Sequence, residues 1–144
     1  MRKVVAERAG GPDVLKMINA PRPEPGPGEI LIQTEASGVN FTDVWLRLGA
    51  EGEPPYSPGI EVAGTVVGHG PDIESPPIGS RVAAMPYPKL GGYAEFVVAP
   101  ADQAYPIPDE MPSVIAAAIP LNYFTAYAAV ELAARPRPGE RALV

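Results

Sequence analysis

Apolar residues in the first hundred positions of the chain fall into short runs, each bounded by glycine, proline or charged residues. Short runs rich in valine and isoleucine, with polar residues at alternate positions, predict β-strands. Six strands are predicted in this way, at residues 3–8, 14–19, 29–37, 61–69, 80–85 and 93–99. Regularly spaced short strands favour a sandwich or a partly open barrel.

A short helix is predicted between the third and fourth strands, at residues 40–49. Asn40 and Asp43 have the spacing of an N-cap and the third helical residue, which can bond to each other's backbone. Gly49 is suited to end the helix, because glycine readily adopts the left-handed conformation that follows a helix. The pattern therefore fixes both ends of this element.

A second departure from the strand pattern lies at residues 113–134, where the sequence becomes alanine-rich. Alanine has the highest helix propensity, and Ser113 is a suitable N-cap. Proline interrupts helical hydrogen bonding, so Pro120 is expected to divide the stretch into two helices and to set the angle between them.

The amino-acid composition limits the kinds of molecule that the protein is expected to bind. The net charge is −6 and the eleven lysines and arginines are scattered, which argues against nucleic acid. Cysteine is absent, which excludes disulfides and thiolate zinc sites and is compatible with a cytoplasmic location. No uninterrupted apolar run approaches the roughly 18 residues of a membrane span, so no membrane partner is expected.

Motifs of common cofactor sites are missing from the sequence. His69 is the single histidine and has no second nitrogen or sulfur ligand nearby, so we expect an exposed turn residue. Gly68 and Gly70 begin a G-x-G pattern, but Ile73 occupies the place of the third glycine of a dinucleotide-binding loop.

Seven segments in order carry a family resemblance: "GGPDVLK", "PGPGEILIQTEASGVNFTD", "PGIEVAGTV", "IGSRVAAM", "GGYAEFVVAP", "AAAIPLNYFTAYAAV" and "RPGERALV". Together they resemble the N-terminal GroES-like catalytic domain of the medium-chain dehydrogenase/reductase superfamily. The resemblance is to its zinc-independent quinone oxidoreductase branch, which includes zeta-crystallin. It implies a mainly β fold with short helices: a GroES-like, partly open β-barrel with C-terminal helices leading towards a Rossmann domain.

Two positions separate this chain from the zinc-dependent members that it resembles. Where those members carry a cysteine and a histidine as ligands of the catalytic zinc, this sequence has Asn40 and Ile60. A neutral amide is a poor zinc ligand and isoleucine is none. We therefore expect the protein to bind no zinc.

The resemblance also implies a nicotinamide site. The asparagine matching Asn40 lies beside the nicotinamide, and the threonine matching Thr125 bonds to its carboxamide, so both are expected to bind NADPH. Asn40, Trp45 and Tyr123 are expected to line the substrate pocket, with Tyr87 a weaker candidate. Many relatives have a tyrosine in place of Trp45, and indole cannot replace an acidic phenol as proton donor, so no catalytic acid is assigned.

Each of these side chains also has an ordinary structural interpretation. In this interpretation Asn40 caps a helix and has no further role, and the Thr125 hydroxyl bonds back to a helical carbonyl. Trp45 can be a core residue of the short helix, and Glu61 is interpreted as structural.

Without a metal, reduction requires an acceptor that is already activated by conjugation, such as a quinone or an α,β-unsaturated carbonyl. The resemblance thus implies an NADPH-dependent oxidoreductase of this kind. The alternative is a stand-alone GroES-like binding module, or one subunit of a split enzyme, without redox activity of its own.

Residues 1–139 are assigned to the GroES-like domain, and residues 140–144 to the start of the first strand of a Rossmann domain that supplies most of the cofactor contacts. Pro138 and Gly139 form the turn between them. We expect weak or no NADPH binding without the Rossmann domain, which would act in cis or in trans, and a homodimer for the complete form.

Overall fold

A computed structural model describes residues 1–50 and 52–141. Its strands are β1 Arg2–Ala6, β2 Leu15–Asn19, β3 Glu29–Ser37, β4 Val62–His69, β5 Arg81–Ala84, β6 Phe96–Pro100 and β7 Ala104–Pro106. All six predicted strands are present. The sequence did not predict β7, because it has three residues and ends in a proline.

Five strands form an antiparallel sheet in the order β6-β3-β4-β5-β7, and β1 pairs with β2 in a separate hairpin. The hairpin is joined to the rest by backbone bonds, from Val4 N to Tyr93 O at 2.8 Å and between Ala6 and Tyr56 in both directions at 2.9 Å. The sheets do not close. The mainly β, partly open architecture is therefore confirmed.

Alternation along the strands separates the two faces of the five-stranded sheet. One face buries a cluster dominated by branched side chains from β3 to β7: Ile30, Ile32, Val62, Val66, Val82, Ala84, Val97, Ala99 and Ala104. On the other face, Ala63 and Ala83 pack against Ala116 and Ala117 of the C-terminal helix. Alanine on both sides allows the helix backbone to approach the sheet closely.

Helix α1 spans Phe41–Arg47, with Asn40 as its N-cap and Leu48 as its C-cap. Gly49 follows with φ of 83°. The predicted limits of this helix are confirmed.

The C-terminal helical region consists of α2 (Ser113–Ala116), a π-helical turn (Ile119–Tyr123), α3 (Phe124–Tyr127) and a second π-helical segment (Ala128–Ala134). These segments form one continuous helix over Ser113–Ala134. The predicted division into two helices at Pro120 was wrong. The helix continues because the turn widens around the proline, so that Tyr123 N bonds to Ala118 O at 3.1 Å.

Arg81, at the start of β5, holds the beginning of this long helix. Its guanidinium donates to the carbonyls of Pro108 (3.0 Å), Asp109 (2.6 Å) and Met111 (2.8 Å), and to Ser113 Oγ at 2.9 Å. The predicted role of Ser113 as N-cap was wrong, because Pro112 occupies that position. The Ser113 hydroxyl instead donates to Glu35 on β3.

By length and composition, the helix Ser113–Ala134 is long and apolar enough to cross a membrane. Only 17% of its most apolar 18-residue stretch is buried. The expectation that no stretch reaches this length was wrong. The break expected at Pro120 divides the stretch into two shorter runs, whereas the helix continues through this residue.

The predicted turn at Pro138 and Gly139 is present, closed by a bond from Glu140 N to Arg137 O at 3.0 Å. Residues 142–144 lie outside the described residues. The boundary at residue 139 therefore stays a prediction.

Candidate active site

Glu61 directly precedes β4, is completely buried, and lies at the centre of a polar network. Its Oε1 accepts a hydrogen bond from Asn40 Nδ2 at 2.9 Å and another from Asn122 Nδ2 at 2.6 Å. Its Oε2 accepts from the backbone N–H of Leu121 at 2.9 Å and, more weakly, from that of Asn122 at 3.4 Å. These contacts bring α1 and the π-helical turn to one point.

The π-helical turn provides these donors for a local reason. Pro120 has no N–H, and the Ala118 carbonyl is already occupied by Tyr123 N. The N–H groups of Leu121 and Asn122 are therefore free to bond outside the helix. The Glu61 carboxylate accepts hydrogen bonds from both of these N–H groups.

Asp43 connects Asn40 to the segment that precedes β4. Its Oδ2 accepts the backbone N–H of Asn40 at 2.9 Å, and its Oδ1 accepts that of Gly59 at 2.7 Å. The Asn40 side chain is buried, with 7% exposure, and its amide nitrogen is directed to Glu61. Asn40 thus begins the helix as predicted, and in addition takes part in the network.

Trp45 lies on the exposed side of α1. Its ring is 55% exposed and packs edge-on against Phe41, with ring centroids 5.3 Å apart. The alternative that Trp45 belongs to the core is wrong. Its place in a substrate pocket stays a prediction.

Tyr123 and Thr125 lie further along the C-terminal helix and are both exposed. Within residues 1–50 and 52–141 the Thr125 hydroxyl has no hydrogen-bond partner, so the proposed bond back to a carbonyl is not made. Phe124, between them, packs edge-on against Tyr105 of β7 at 5.3 Å. The network brings Asn40 together with Asn122, the neighbour of Tyr123; Trp45 and Thr125 are not part of it.

Sequence reasoning missed Asn122 and gave Glu61 only a structural role. One signal was available for Glu61: a carboxylate stands between Ile60 and Val62, at the start of a strand that is otherwise buried. Such a charge needs several donors. The sequence could not identify the donors, because Asn122 is 61 positions away.

An apolar cavity of about 210 Å³ borders α1 and is lined by Pro12, Leu15, Val39, Asp43, Val44, Arg47, Pro58 and Tyr93. Burial and the negative charges of Asp43 and Glu61 raise the pKa of the Tyr93 phenol well above its usual value. Neither Asn40 nor Trp45 lines this cavity. The cavity is, however, lined by Asp43, which bonds to Asn40.

Among the residues that the structure describes, no three His, Asp or Glu side chains are grouped as metal ligands. The position of Ile60 is buried and apolar, and the Asn40 amide is engaged by Glu61. This donor set does not suit zinc.

Comparison with known proteins places these features in a family. The model of the alcohol dehydrogenase GroES-like domain matches residues 26–109. The quinone oxidoreductase of Mus musculus is 38% identical over the whole chain, which spans 44% of that protein.

Two solved structures have the same fold. The crystal structure of the human synaptic vesicle membrane protein VAT-1 homolog-like protein matches with a TM-score of 0.90 and 37% identity, covering 96% of this chain and 45% of that one. The quinone oxidoreductase of Thermus thermophilus, solved also in complex with NADPH, matches with a TM-score of 0.79 and 39% identity, covering 97% of this chain and 43% of that one. The chain thus spans less than half of these relatives. It belongs to the alcohol dehydrogenase GroES-like domain family, in the zinc-independent quinone oxidoreductase branch.

Proposed function

We propose that this chain is the substrate-side domain of an NADPH-dependent oxidoreductase that reduces quinones or α,β-unsaturated carbonyls. The observation that carries the proposal is the joining of Asn40 and Asn122 by Glu61. It places the start of α1 beside the helix that bears Tyr123 and Thr125. The residues expected at the nicotinamide and the substrate thereby come from two elements that share one buried anchor.

The residues present fit a nicotinamide group. The Thr125 hydroxyl is exposed and has no partner within the described part of the chain, so it is free to bond to a carboxamide. Asn40 keeps one amide proton beyond the one given to Glu61. NADPH supplies a hydride when bound, and the Thermus thermophilus relative was solved in complex with NADPH. Asn40 and Thr125 would orient the ring that carries it.

The proposed substrate class is supported by the chemistry of the residues near Asn40 and by the exposed aromatic rings of α1. The described residues bring no metal ligand set to Asn40, so the acceptor must be activated by its own conjugation. The rings of Phe41 and Trp45 are exposed and stand nearly perpendicular to each other, so the indole offers an apolar face on which a planar acceptor could stack. After hydride transfer a proton must reach the reduced oxygen or carbon, and water is the proposed source.

The C-terminal helix supports a partner domain. Its exposed apolar side chains include Tyr123, Phe124, Tyr127, Val130 and Leu132. We propose that a Rossmann cofactor domain, in cis or in trans, covers this surface, and that the helix does not enter a membrane. The complete form is proposed to be a cytoplasmic homodimer.

The proposal is tested by following NADPH oxidation at 340 nm with 1,4-benzoquinone or an enone, using the chain joined to a cofactor-binding domain. Turnover is expected with these acceptors and not with simple ketones. The isolated chain is expected to bind NADPH weakly or not at all. Asn40→Ala and Thr125→Val should each lower kcat/KM, by about tenfold for a lost positioning contact.

Elemental analysis of the purified protein should find no stoichiometric zinc. Turnover of simple alcohols together with bound zinc would refute the proposal. Tight binding of small molecules without any NADPH oxidation would instead favour the stand-alone binding module.

A further inference from the structure

We infer that Glu61 is a positioning residue that sets the orientation of the Asn40 amide and couples it to the helix bearing Tyr123 and Thr125. The part of this inference that concerns NADPH rests on the proposed function. The part that concerns the orientation of Asn40 rests on the contacts of Glu61 alone.

The orientation follows from hydrogen-bonding chemistry. An ionised carboxylate only accepts hydrogen bonds, so the side chain of Asn40 must turn its nitrogen towards Glu61. The oxygen end of the amide is thereby directed away from the carboxylate. A free asparagine could reverse these two ends at little cost, and Glu61 prevents the reversal.

The same carboxylate cannot easily move. It is completely buried, and a methyl group on Gly38 would lie 2.1 Å from Glu61 Oε1, so the backbone just after β3 presses against it. The Glu61 carbonyl is also held, by Ser37 Oγ at 2.9 Å and Gly38 N at 3.1 Å. Both the backbone and the side chain of Glu61 are therefore fixed.

Coupling follows because the bonds to α1 and to the π-helical turn share one carboxylate. Asn40 and Asn122 both donate to Oε1, while Leu121 N donates to Oε2. A shift of the C-terminal helix would therefore pull on the group that holds Asn40. Glu61 thus links the two elements that would contact the nicotinamide.

Replacement of Glu61 by glutamine distinguishes a role in orienting Asn40 from a purely structural role. In Glu61→Gln, one carboxylate oxygen becomes an NH₂ group that opposes donors from the chain. If the remaining oxygen accepts from Leu121 N, the NH₂ faces Asn40 and Asn122, whose amides must then turn over to present oxygen. The matched control is Glu35→Gln, which alters a carboxylate that bonds to Ser113 at the start of the same helix and does not contact Asn40.

The kinetic test uses the form of the protein that turns over substrate. Glu61→Gln and Asn40→Ala should each lower kcat/KM about tenfold, mainly through kcat. Because Glu61 acts through Asn40, the double variant should be within about twofold of Asn40→Ala alone. Glu35→Gln should leave kcat within about twofold of the wild-type value. Independent, multiplying losses in the double variant, or an unchanged Glu61→Gln enzyme, would overturn the inference.

A second readout needs no catalysis. In the NMR spectrum of the wild-type chain, one side-chain amide proton of Asn40 should be shifted downfield and protected from exchange, and the signal should move in Glu61→Gln. Averaged, unprotected Asn40 amide protons in the wild type would refute the positioning role even if Glu61→Gln fails to fold. If the wild type reduces no quinone or enone, the proposed function fails, and the NMR result still decides the role of Glu61.

Discussion

Asp43 Oδ1 accepts the backbone N–H of Gly59 at 2.7 Å, which joins the first turn of α1 to the segment that leads into β4. Glu61 lies only two residues beyond Gly59. The other oxygen of Asp43 accepts from Asn40, which is the partner of Glu61. A single carboxylate therefore holds the backbone of Asn40 directly, and holds the segment that leads to Glu61 through Gly59.

Replacing Asp43 with alanine should destabilise the fold. It leaves two buried N–H groups without a charged acceptor, and hydrogen bonds to charged groups contribute about 1.5–3 kcal/mol each. We expect the free energy of unfolding, measured by urea denaturation, to fall by about 3 kcal/mol. The control is Asp13→Ala, because Asp13 forms an exposed ion pair with Arg8 and its loss should change stability by about 0.5 kcal/mol or less. Equal effects of the two substitutions would contradict this account.

Gly59→Ala tests how closely the backbone packs beside the site. Gly59 has φ of 104°, and an added methyl group would lie 2.5 Å from Tyr93 N and 2.6 Å from Gly92 Cα. Both neighbours are backbone atoms, so we expect the melting temperature to fall by more than about 8 °C, which corresponds to about 2 kcal/mol in a domain of this size.

The matched control for Gly59 is Gly28→Ala. Gly28 also has positive φ, 77°, but nothing lies within 4 Å of an added methyl group. It should cost only the conformational strain of about 1–2 kcal/mol. If Gly59→Ala is as stable as Gly28→Ala, the backbone around Gly59 can move to accommodate a methyl group, and this account of close packing is wrong.

Local patterns predicted most of the fold. The strand β3 has the predicted limits of residues 29–37, and the ends of α1 follow from Asn40 and Gly49. The rules used for these elements depend on neighbouring residues alone. The continuous helix through Pro120 was not predicted, because the widened turn is completed by Glu61, a residue 60 positions away from Leu121 in the sequence.

The candidate site was predicted less completely for the same reason. Asn40 was found through the family resemblance, and its burial agrees with a fixed position. Asn122 was not found, since its importance comes from a contact with Glu61 that no local spacing reveals. The exposure of Trp45 likewise depends on which way α1 faces, which is decided by tertiary packing.

Tyr93 predicts a loss of stability in alkaline solution. Burial, and then the negative charge of Asp43, raise the pKa of its phenol above the value of an unfolded tyrosine. Stability from this group is therefore complete below about pH 10, where both states are protonated, and is lost progressively as the pH rises above that value. Thermal unfolding between about pH 9 and 12 should show this decline, and Tyr93→Phe should reduce its slope. An identical slope in Tyr93→Phe would exclude Tyr93 as the cause.

Leu132→Lys tests the role of the exposed helix surface. Leu132 is 56% exposed, so the substitution should leave the stability of the isolated chain nearly unchanged. It should weaken association with a cofactor-binding domain supplied in trans, by about tenfold for loss of a buried leucine at an interface. Calorimetric titration measures the association, and Met17→Lys, at an exposed site on β2, is the control.

The same surface predicts the behaviour of the chain towards lipid. The wild-type chain should not float with phosphatidylcholine vesicles in a density gradient, because the proposed cover of the helix is a protein domain. Flotation of the wild type that is abolished by Leu132→Lys would contradict that proposal.

Arg81 anchors the start of the C-terminal helix, so a small tilt at that end produces a larger displacement at the other end. The guanidinium fixes Met111 and Ser113, and the alanines packed on the sheet fix the first turn, whereas the side chains beyond Tyr123 are exposed. The part beyond Pro120 is about 20 Å long at about 1.5 Å per residue. A tilt of about 10° at the base would displace its far end by about 4 Å over such a length. Small changes at the edge of β5 would therefore be amplified into larger displacements of the far end of the helix.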